Sequence, residues 1–224
     1  MAWRKLETLL LYRRCATSSR QAIVLSGFPP HLVDCSVQVA GDSGDFVLVP
    51  DFITLEEEQS LMCVVGLSFR RLRYQYAHWD QAIEGYRETE KSQWQAPSQV
   101  VIDRLKQTAT SAVDGKRLEV LPGVHVLDLA KDGYIRPHVD SIKHCGDVIA
   151  GISLLSPCVM KLQCEDDATK LIHALLLPRS LYIMRGAIRY KYTHAILSAE
   201  DSRFRGSAVP KERRVSLVCR TAPT

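Results

Sequence analysis

The chain has 224 residues, of which 46% are hydrophobic and 24% are charged, with ten Pro and twelve Gly. This length and composition fit one globular domain and exclude a low-complexity or fibrous chain. No uncharged apolar run approaches the roughly 20 residues that a membrane-spanning helix needs, so we predict no membrane span.

The formal net charge of +4 is unevenly distributed along the chain. Residues 1–33 contain five Lys and Arg and one acidic residue, which leaves 24 basic and 24 acidic residues in the remainder. The positive excess therefore belongs to the N-terminal segment. It gives no reason to expect that the body of the chain binds nucleic acid.

The first twenty residues, MAWRKLETLLLYRRCATSSR, are rich in Arg and Ser and would form an amphipathic helix. This composition is typical of a mitochondrial transit peptide, whereas the apolar stretch Leu9–Tyr12 is too short for a secretory signal. We predict a transit peptide over residues 1–20, a single domain over 21–224 and a location in the mitochondrial matrix. The alternative is a solvated helix or a disordered tail.

Two helices are predicted in the N-terminal half of this domain. A short strand from Leu48 and a turn are followed by Thr54, with Glu57 three residues later, which is the spacing of a capping box at the start of a helix. A second helix is predicted near 97–112, between a Pro/Ser start and an Asp-Gly pair at its end.

From about residue 118 the chain consists of short β-branched or alternating runs, such as VLPGVHVLDLA and RRVSLVC, separated by Gly, Pro and charged residues. Short strands at this spacing indicate a β-sandwich or barrel. The predicted fold class is therefore mainly β, with flanking helices from the N-terminal half.

The seven cysteines are odd in number, form no CxxC pair and stand mostly in apolar segments. We therefore predict buried thiols in a reducing compartment, without a disulfide framework or a structural zinc site. The cysteines are Cys15, Cys35, Cys63, Cys145, Cys158, Cys164 and Cys219.

Among the seven histidines, His138 stands two residues before Asp140 at the end of a predicted strand. In an extended segment these two side chains point to the same side, so both can bind one metal ion. His194, on a later strand, can complete a facial set of three ligands that leaves positions open for substrate and oxygen. His125 and His173 lie in apolar runs and are interpreted as core or outward-facing residues.

Arg214 and Arg220 flank a predicted strand six residues apart, so both guanidinium groups point to one face. Arginine binds a carboxylate through two nitrogens and keeps its charge, and the hydroxyl of Tyr182 can donate to the same carboxylate. An HxD motif by chance and a solvated basic strand are the alternatives for each feature alone. Together they favour an iron site with 2-oxoglutarate.

Three segments resemble the AlkB-type Fe(II)/2-oxoglutarate dioxygenases: HVLDLAKDGYIRPHVDS, SLYIMRGAIRYKYTHAI and RRVSLVCR, within a resemblance that runs from about residue 48 to 221. The resemblance implies a double-stranded β-helix, or jelly roll. It also implies that His138, Asp140 and His194 hold Fe(II).

The same resemblance implies that Tyr182, Arg214 and Arg220 bind 2-oxoglutarate, and that dioxygen is used to oxidise a C–H bond with release of succinate and carbon dioxide. Family members that repair nucleic acid carry an Asn-x-Tyr pair before the first histidine ligand. This chain has Leu127 and Leu129 at those positions. Cosubstrate binding is therefore expected to depend more heavily on the tyrosine and the arginines.

The interval 71–97 is the most informative place for the substrate. We predict about one short helix and loops there, which is too little for the two-hairpin lid of nucleic-acid members. Basic and aromatic residues interleave in this region, as in surfaces on which single-stranded nucleic acid stacks, or else the aromatic residues pack the helix onto the jelly roll. They are Arg70, Arg71, Arg73, Tyr74, Tyr76, Trp79, Tyr86 and Trp94.

The leading hypothesis is a monomeric mitochondrial dioxygenase that hydroxylates a protein side chain and influences mitochondrial metabolism or cell death. One alternative is demethylation of alkylated bases in mitochondrial tRNA. Another is a non-catalytic regulatory or binding module on the same fold.

Overall fold

The computed structural model describes residues 29–35, 43–78, 81–113, 115 and 118–223. The predicted transit peptide therefore lies outside the described residues, as does Trp79. The helices are α1 (Leu55–Phe69), α2 (Ser98–Thr110) and α3 (Gly186–Lys191). The strands are β1 (Val33–Cys35), β2 (Phe46–Val49), β3 (Ile83–Lys91), β4 (Val124–His138), β5 (Ile149–Leu154), β6 (Cys158–Cys164), β7 (Leu171–Leu176), β8 (Ser180–Met184), β9 (Tyr192–Ile196), β10 (Arg203–Phe204), β11 (Ser207–Ala208) and β12 (Arg214–Arg220).

Within the described residues, ten strands form one antiparallel sheet in the order β1-β7-β6-β9-β4-β12-β5-β8-β2, with β3 also paired to β4. The first half of β4 pairs with β12, and its last residues pair with β9. Since β3 occupies the other edge of β4 along both parts, β12 and β9 share one edge. The sheet therefore splits there into two halves that curl around an interior, which is the predicted mainly β jelly roll with flanking helices.

Helix α1 begins where the capping box predicts. The Thr54 hydroxyl accepts a hydrogen bond from the Glu57 amide at 3.2 Å, and the Glu57 carboxylate accepts one from the Thr54 amide at 2.9 Å. These bonds satisfy amide groups that a helix start otherwise leaves unpaired. The apolar side chains of Leu61, Val65 and Phe69 repeat every four residues and are buried. This stripe packs α1 against the sheet.

Helix α2 confirms the second predicted helix, with an end at Thr110. It joins α1 through the Ser60 and Ser98 hydroxyls, 3.0 Å apart, and through an ion pair of 2.7 Å between Arg104 and Glu57. The two helices and the outer face of the β12-β5-β8 half share one apolar core. Neither helix, nor any other in the described part of the chain, is long and apolar enough to cross a bilayer.

The side chains of strand β12 alternate between the helix side and the interior side of the sheet. Its alternate residues Val215, Leu217 and Cys219 belong to the core under the helices. The intervening residues Arg214 and Arg220 point to the interior of the jelly roll, where both line a cavity. The predicted placement of the two arginines on one face is confirmed.

The expectation of a short helix and loops over 71–97 is wrong for residues 83–91. These form β3, which pairs with β4 from Ile83 to Lys91. A bulge between Glu84 and Tyr86 interrupts the register, and Gly85 adopts the positive φ of 62° there. The segment is rich in Glu, Lys and Arg, which favour helices, but the long partner strand supplies a hydrogen-bonding edge that overrides this preference.

The aromatic residues of this region serve mainly as packing. Tyr86 is 3% exposed and Trp94 is 7% exposed, each within a core cluster. Tyr74 donates a hydrogen bond to the buried carboxylate of Asp128 at 3.1 Å, and the Arg87 guanidinium lies 4.6 Å from the Tyr74 ring. These three aromatic side chains are therefore held by the protein itself, and do not form a free stacking surface.

Asp128 fixes the segment after α1 to the helix side of the sheet. Its fully buried carboxylate accepts hydrogen bonds from Arg87 at 2.8 Å and from Arg213 at 2.8 and 3.0 Å. The neighbouring strand residues Leu127 and Leu129 belong to the interior cluster. Because side chains alternate along a strand, Asp128 and the residues it holds lie on the opposite face from the interior.

Candidate metal and cosubstrate site

Two histidines and one aspartate converge at one end of the interior. The ligand atoms of His138, Asp140 and His194 all lie within 4.8 Å of one another. His138 at the end of β4 pairs directly with His194 on β9, and the centroids of the two rings are 4.2 Å apart. Asp140 follows β4 by two residues, so the spacing that suggested the motif brings its carboxylate beside both rings.

The His138 ring is oriented by its own backbone. Its Nδ1 lies 2.9 Å from the carbonyl oxygen of Arg136, and because a carbonyl oxygen only accepts, Nδ1 carries the proton. The Nε2 atom faces Asp140, whose Oδ1 is 3.3 Å away. A hydrogen bond at the other nitrogen is the usual way in which a metal-binding histidine is held.

The two oxygens of Asp140 have different surroundings. Oδ1 faces the histidines, with His194 Nε2 at 3.7 Å, whereas Oδ2 accepts a hydrogen bond from Arg220 Nε at 2.6 Å. Burial opposes ionisation, but the His138 hydrogen bond and the Arg220 charge outweigh it and hold the pKa of Asp140 well below its usual range. The carboxylate therefore stays ionised and offers one oxygen to a metal.

His194 is largely enclosed by the protein, with its side chain 14% exposed. Burial and the neighbouring His138 lower its pKa to about 3, so the imidazole is neutral at physiological pH. A metal ligand must be a neutral imidazole, and this site therefore needs no proton release from His194 on binding. Two imidazole nitrogens and one carboxylate oxygen form the donor set that suits Fe(II), and they leave its other positions open. The residues present fit that ion.

A polar pocket for a carboxylate lies deeper in the interior. The Arg214 side chain is 2% exposed, and its Nε donates to the Ser153 hydroxyl at 3.0 Å. Arg214 Nη2 is buried and has no hydrogen-bond partner among the described residues. Buried polar groups are rarely left unpaired, so this nitrogen indicates a missing acceptor. The C5 carboxylate of 2-oxoglutarate has the charge and geometry that a guanidinium binds.

Tyr182 lines the same cavity as Arg214 and the three ligands. It is opposite Gly151 in the pairing of β8 with β5, and a Cβ atom at Gly151 would lie 2.4 Å from Tyr182 Cζ and from its hydroxyl oxygen. Glycine is therefore required for the tyrosine ring to lie flat on the strand. Burial raises the pKa of Tyr182, so its hydroxyl remains a hydrogen-bond donor.

Leu127 contributes an apolar side chain to the cavity wall, as its position in place of a polar family residue predicts. Leu129 lies in the interior core next to it. Arg220 lines the cavity, as predicted, but its Nε is engaged by Asp140. Among the described residues, Arg220 therefore contacts a carboxylate of the ligand cluster, whereas Arg214 keeps one buried nitrogen without a partner.

Sequence reasoning missed His125 as a cavity residue, and with it the Glu88 carboxylate that His125 contacts. His125 lines the cavity, and its Nε2 lies 2.8 Å from Glu88 Oε2. This hydrogen bond outweighs burial and lowers the pKa of Glu88. His78 approaches the other Glu88 oxygen at 3.4 Å. The contact of His125 with Glu88 could not be predicted, because Glu88 lies on β3 and no strand was predicted there. His173, by contrast, is half-buried on β7, with a pKa lowered by burial and by Lys161 on the neighbouring strand.

A model of the 2OG-Fe(II) oxygenase superfamily matches residues 54–220 of the chain. Two relatives are named alpha-ketoglutarate-dependent dioxygenase alkB homolog 7, mitochondrial. The Mus musculus protein is 49% identical and the Bos taurus protein 46% identical, each over 79% of this chain and 78% of the relative. An Arabidopsis thaliana protein named alkylated DNA repair protein ALKBH8 homolog is 25% identical over 86% of this chain and 61% of its own length.

Solved structures show the same fold at low sequence identity. A Pseudomonas putida prolyl-4-hydroxylase has a TM-score of 0.58 at 11% identity, covering 83% of this chain and 95% of that one. The structure of OsALKBH1 has a TM-score of 0.54 at 13% identity, covering 79% of this chain and 97% of that one. The predicted double-stranded β-helix is confirmed.

The resemblance of the three sequence segments to AlkB-type enzymes is confirmed by these comparisons. The family match spans all three helices, strands β3 to β12 and all three clustered ligands. The chain therefore belongs to the 2OG-Fe(II) oxygenase superfamily and is an Fe(II)- and 2-oxoglutarate-dependent dioxygenase of the alkB homolog 7 type.

Proposed function

We propose that the chain hydroxylates a side chain of a protein in the mitochondrial matrix, using Fe(II), 2-oxoglutarate and dioxygen. The observation that carries this proposal is the half-paired, buried guanidinium of Arg214 on the same interior wall as the three-ligand cluster. A metal-binding set beside an unfilled carboxylate site is what oxidation coupled to 2-oxoglutarate requires.

In this proposal His138, Asp140 and His194 hold Fe(II) through two nitrogens and one oxygen. Bound there, the ion, dioxygen and 2-oxoglutarate supply a two-electron oxidation of a C–H bond, with succinate and carbon dioxide as the other products. His138 contributes Nε2, because its Nδ1 donates to a backbone carbonyl. Arg220 keeps one Asp140 oxygen occupied, so that the other is directed to the metal.

Arg214 and Tyr182 bind the distal carboxylate of 2-oxoglutarate. The guanidinium supplies charge and an unpaired donor, and the tyrosine hydroxyl supplies a second donor from β8, which is separated from β12 by β5. Ile149, Met184 and Leu127 form an apolar wall around them. This wall excludes water, which strengthens the pairing of the carboxylate with the guanidinium and holds the cosubstrate in one orientation.

The surface chemistry favours a protein substrate over a nucleic acid. Beyond residue 33 the chain carries 24 basic and 24 acidic residues, whereas nucleic-acid binding is driven by an excess of basic charge. Tyr74 is held by Asp128, whose side chain lies on the helix side of the sheet. The arginines that precede Tyr74 are exposed, and none of them lines the cavity. Tyr86 and Trp94 are buried and do not offer their rings to bases.

Demethylation of a base in mitochondrial tRNA is the second candidate. Arg70, Arg71 and Arg73 are exposed, and Tyr76 is 61% exposed on the same segment. These residues provide charge and one aromatic ring to a polyanion. A non-catalytic binding or regulatory module is the remaining alternative. The complete ligand set and the unpaired donor of Arg214 argue against it, because a module without turnover has no use for either.

We further propose that residues 1–20 are a transit peptide and that residues 21–224 form one monomeric domain. The names of the mouse and bovine relatives include the word mitochondrial. The Arg- and Ser-rich composition of the first twenty residues supports the same destination. An influence on mitochondrial metabolism or cell death would follow from hydroxylation of a matrix protein.

The substrate class is tested in cells that contain only the wild-type chain or only the His138→Ala variant. Mass spectrometry of mitochondrial proteins and tRNAs should detect a peptide that gains one oxygen atom in wild-type cells and lacks it in the variant. A tRNA base that keeps its methyl group only in variant cells, with no protein change, would contradict the proposal and favour the second candidate.

A matched control separates the two substrate classes. Replacing Arg70, Arg71 and Arg73 together by Gln changes only exposed residues outside the cavity. We expect the protein modification to persist at its wild-type level in this variant. If the wild type binds RNA in a salt-dependent way and the variant loses both this binding and the modification, a protein substrate would be contradicted.

A further inference from the structure

Arg189 is a buried arginine that is hydrogen-bonded to the loop carrying Asp140. Its side chain is 2% exposed and its guanidinium donates to three backbone carbonyl oxygens of that loop. The distances are 3.0 Å to Asp140, 2.9 Å to Cys145 and 3.0 Å to Gly146. All three guanidinium nitrogens are used, and the acceptors are at both ends of the loop.

This arginine connects two ligand-bearing parts that are distant in sequence. It lies on α3, which leads directly into β9 and His194. The loop that it holds leads from β4 and His138 through Asp140 to β5. One side chain thus fixes the spacing between the second ligand and the strand that carries the third.

Only arginine has the chemistry for this contact. Its planar fork presents five donors in fixed directions, whereas a lysine ammonium is a compact charge with three. In the described part of the chain, no carboxylate forms an ion pair with Arg189. Its charge is stabilised by the three carbonyl dipoles and by the Tyr190 ring, whose centroid is 5.0 Å from the guanidinium carbon, so its burial depends on the conformation of the loop.

We propose that Arg189 is a positioning residue that holds the Asp140 loop in metal-binding geometry before a metal is bound. This inference rests on the proposed metal site. Its consequence is a site assembled in advance, so that the metal does not have to order the loop and binding is correspondingly tight. Replacement of Arg189 should therefore lower the metal affinity more than it lowers the stability of the fold.

The test is titration of Mn(II), as a redox-stable probe, into the full chain followed by calorimetry. Arg189→Lys and Arg189→Gln should raise the Mn(II) dissociation constant about 10- to 100-fold, the usual effect of losing a residue that orients a ligand. Arg205→Lys is the matched control, because Arg205 donates to the Val33 carbonyl at 3.0 Å, far along the chain from the ligands. Its dissociation constant should stay at the wild-type value.

Thermal unfolding in the presence of a chelator separates positioning from general stability. We expect both Arg189 variants to unfold cooperatively in metal-free form while the metal affinity falls. An unchanged dissociation constant in folded variants would overturn the inference and leave the metal site standing. If His138→Ala binds Mn(II) as tightly as the wild type, the proposed metal site is itself wrong and this inference fails with it.

A measurement on the wild type decides the question even where the variants do not fold. Amide hydrogen exchange of residues 141–146 should be slow in the metal-free protein and change less than about threefold on addition of Mn(II). The Cys145 amide donates to Ser141 and the Gly146 amide donates to Thr221, so both report on this loop. Protection that develops only with Mn(II) would show that the metal orders the loop, and would overturn the inference.

Discussion

Replacement of Arg214 by Met tests the cosubstrate pocket, because the guanidinium is buried and only partly paired. Its Nε donates to Ser153 at 3.0 Å, while Nη2 has no partner among the residues described. Methionine is unbranched, adaptable and uncharged, so it fills much of the same space without a donor. The change therefore removes one satisfied and one unsatisfied polar group together with a buried charge.

The two effects of Arg214→Met have opposite signs. A buried polar group without a partner costs about 1–3 kcal/mol, so the ligand-free variant should be as stable as the wild type or up to about 2 kcal/mol more stable. Loss of one partner of a buried charge pair costs about 2–5 kcal/mol of binding. At about 1.4 kcal/mol per factor of ten, 2-oxoglutarate should bind about 30- to 4,000-fold more weakly.

Two assays on Arg214→Met read these effects separately. Calorimetric titration of 2-oxoglutarate into the Mn(II)-loaded chain gives the loss of affinity, and urea unfolding without ligands gives the free energy of unfolding. Ser153→Ala is the control, since it removes only the hydrogen bond to Nε. A variant that binds 2-oxoglutarate within about threefold of the wild type, or that loses more than about 3 kcal/mol of stability, would refute the assignment and make Arg214 a structural residue.

Three further changes test other parts of the structure. Gly151→Ala should weaken 2-oxoglutarate binding at least about tenfold by calorimetry, because the new Cβ would lie 2.4 Å from Tyr182 Cζ and would displace the ring. Lys211→Met should lower the free energy of unfolding by about 2 kcal/mol, because two backbone carbonyls lose their donor. Burial lowers the pKa of Lys211 to about 8 from 10.5, so the unfolded wild type binds more protons between these values. Urea titrations should show that the deficit of the Lys211 variant grows from pH 7 to pH 10, and a constant deficit would contradict the buried state. Asp128→Asn should cost about 3–5 kcal/mol in the same assay, with Mn(II) affinity unchanged, since it unpairs two arginines outside the interior. A loss of metal affinity would contradict that separation.

The features that the sequence predicts correctly are local ones. The capping box at Thr54 and Glu57 involves residues three apart and forms as predicted. The His138-x-Asp140 spacing places two ligands on one side through the alternation of an extended chain. The third ligand, His194, is 56 residues after His138; its place on a later predicted strand makes it a suitable third ligand, and the family resemblance implies the same residue. Its pairing with His138 across two strands provides the physical reason.

The features that the sequence does not predict are long-range. Strand β3 is polar and rich in helix-favouring residues, and only its pairing with β4 makes it a strand. Asp128 and Arg189 find partners 41 and 49 residues away, in positions where an exposed charge is the ordinary expectation. The difference between Arg214 and Arg220 also emerges only in three dimensions, because Asp140 engages Arg220, while Nη2 of Arg214 has no partner among the described residues.

Turnover of isotopically labelled 2-oxoglutarate by the full chain with Fe(II) and ascorbate tests the assignment of the site most directly. Labelled succinate should form with the wild type and be absent with His138→Ala, which lacks one metal ligand, and with Arg214→Met, which lacks the carboxylate partner. The Arg214 variant should still bind Mn(II), and the His138 variant should not. Succinate formation that persists in both variants, or that is absent from the metal-loaded wild type, would contradict the account of this site.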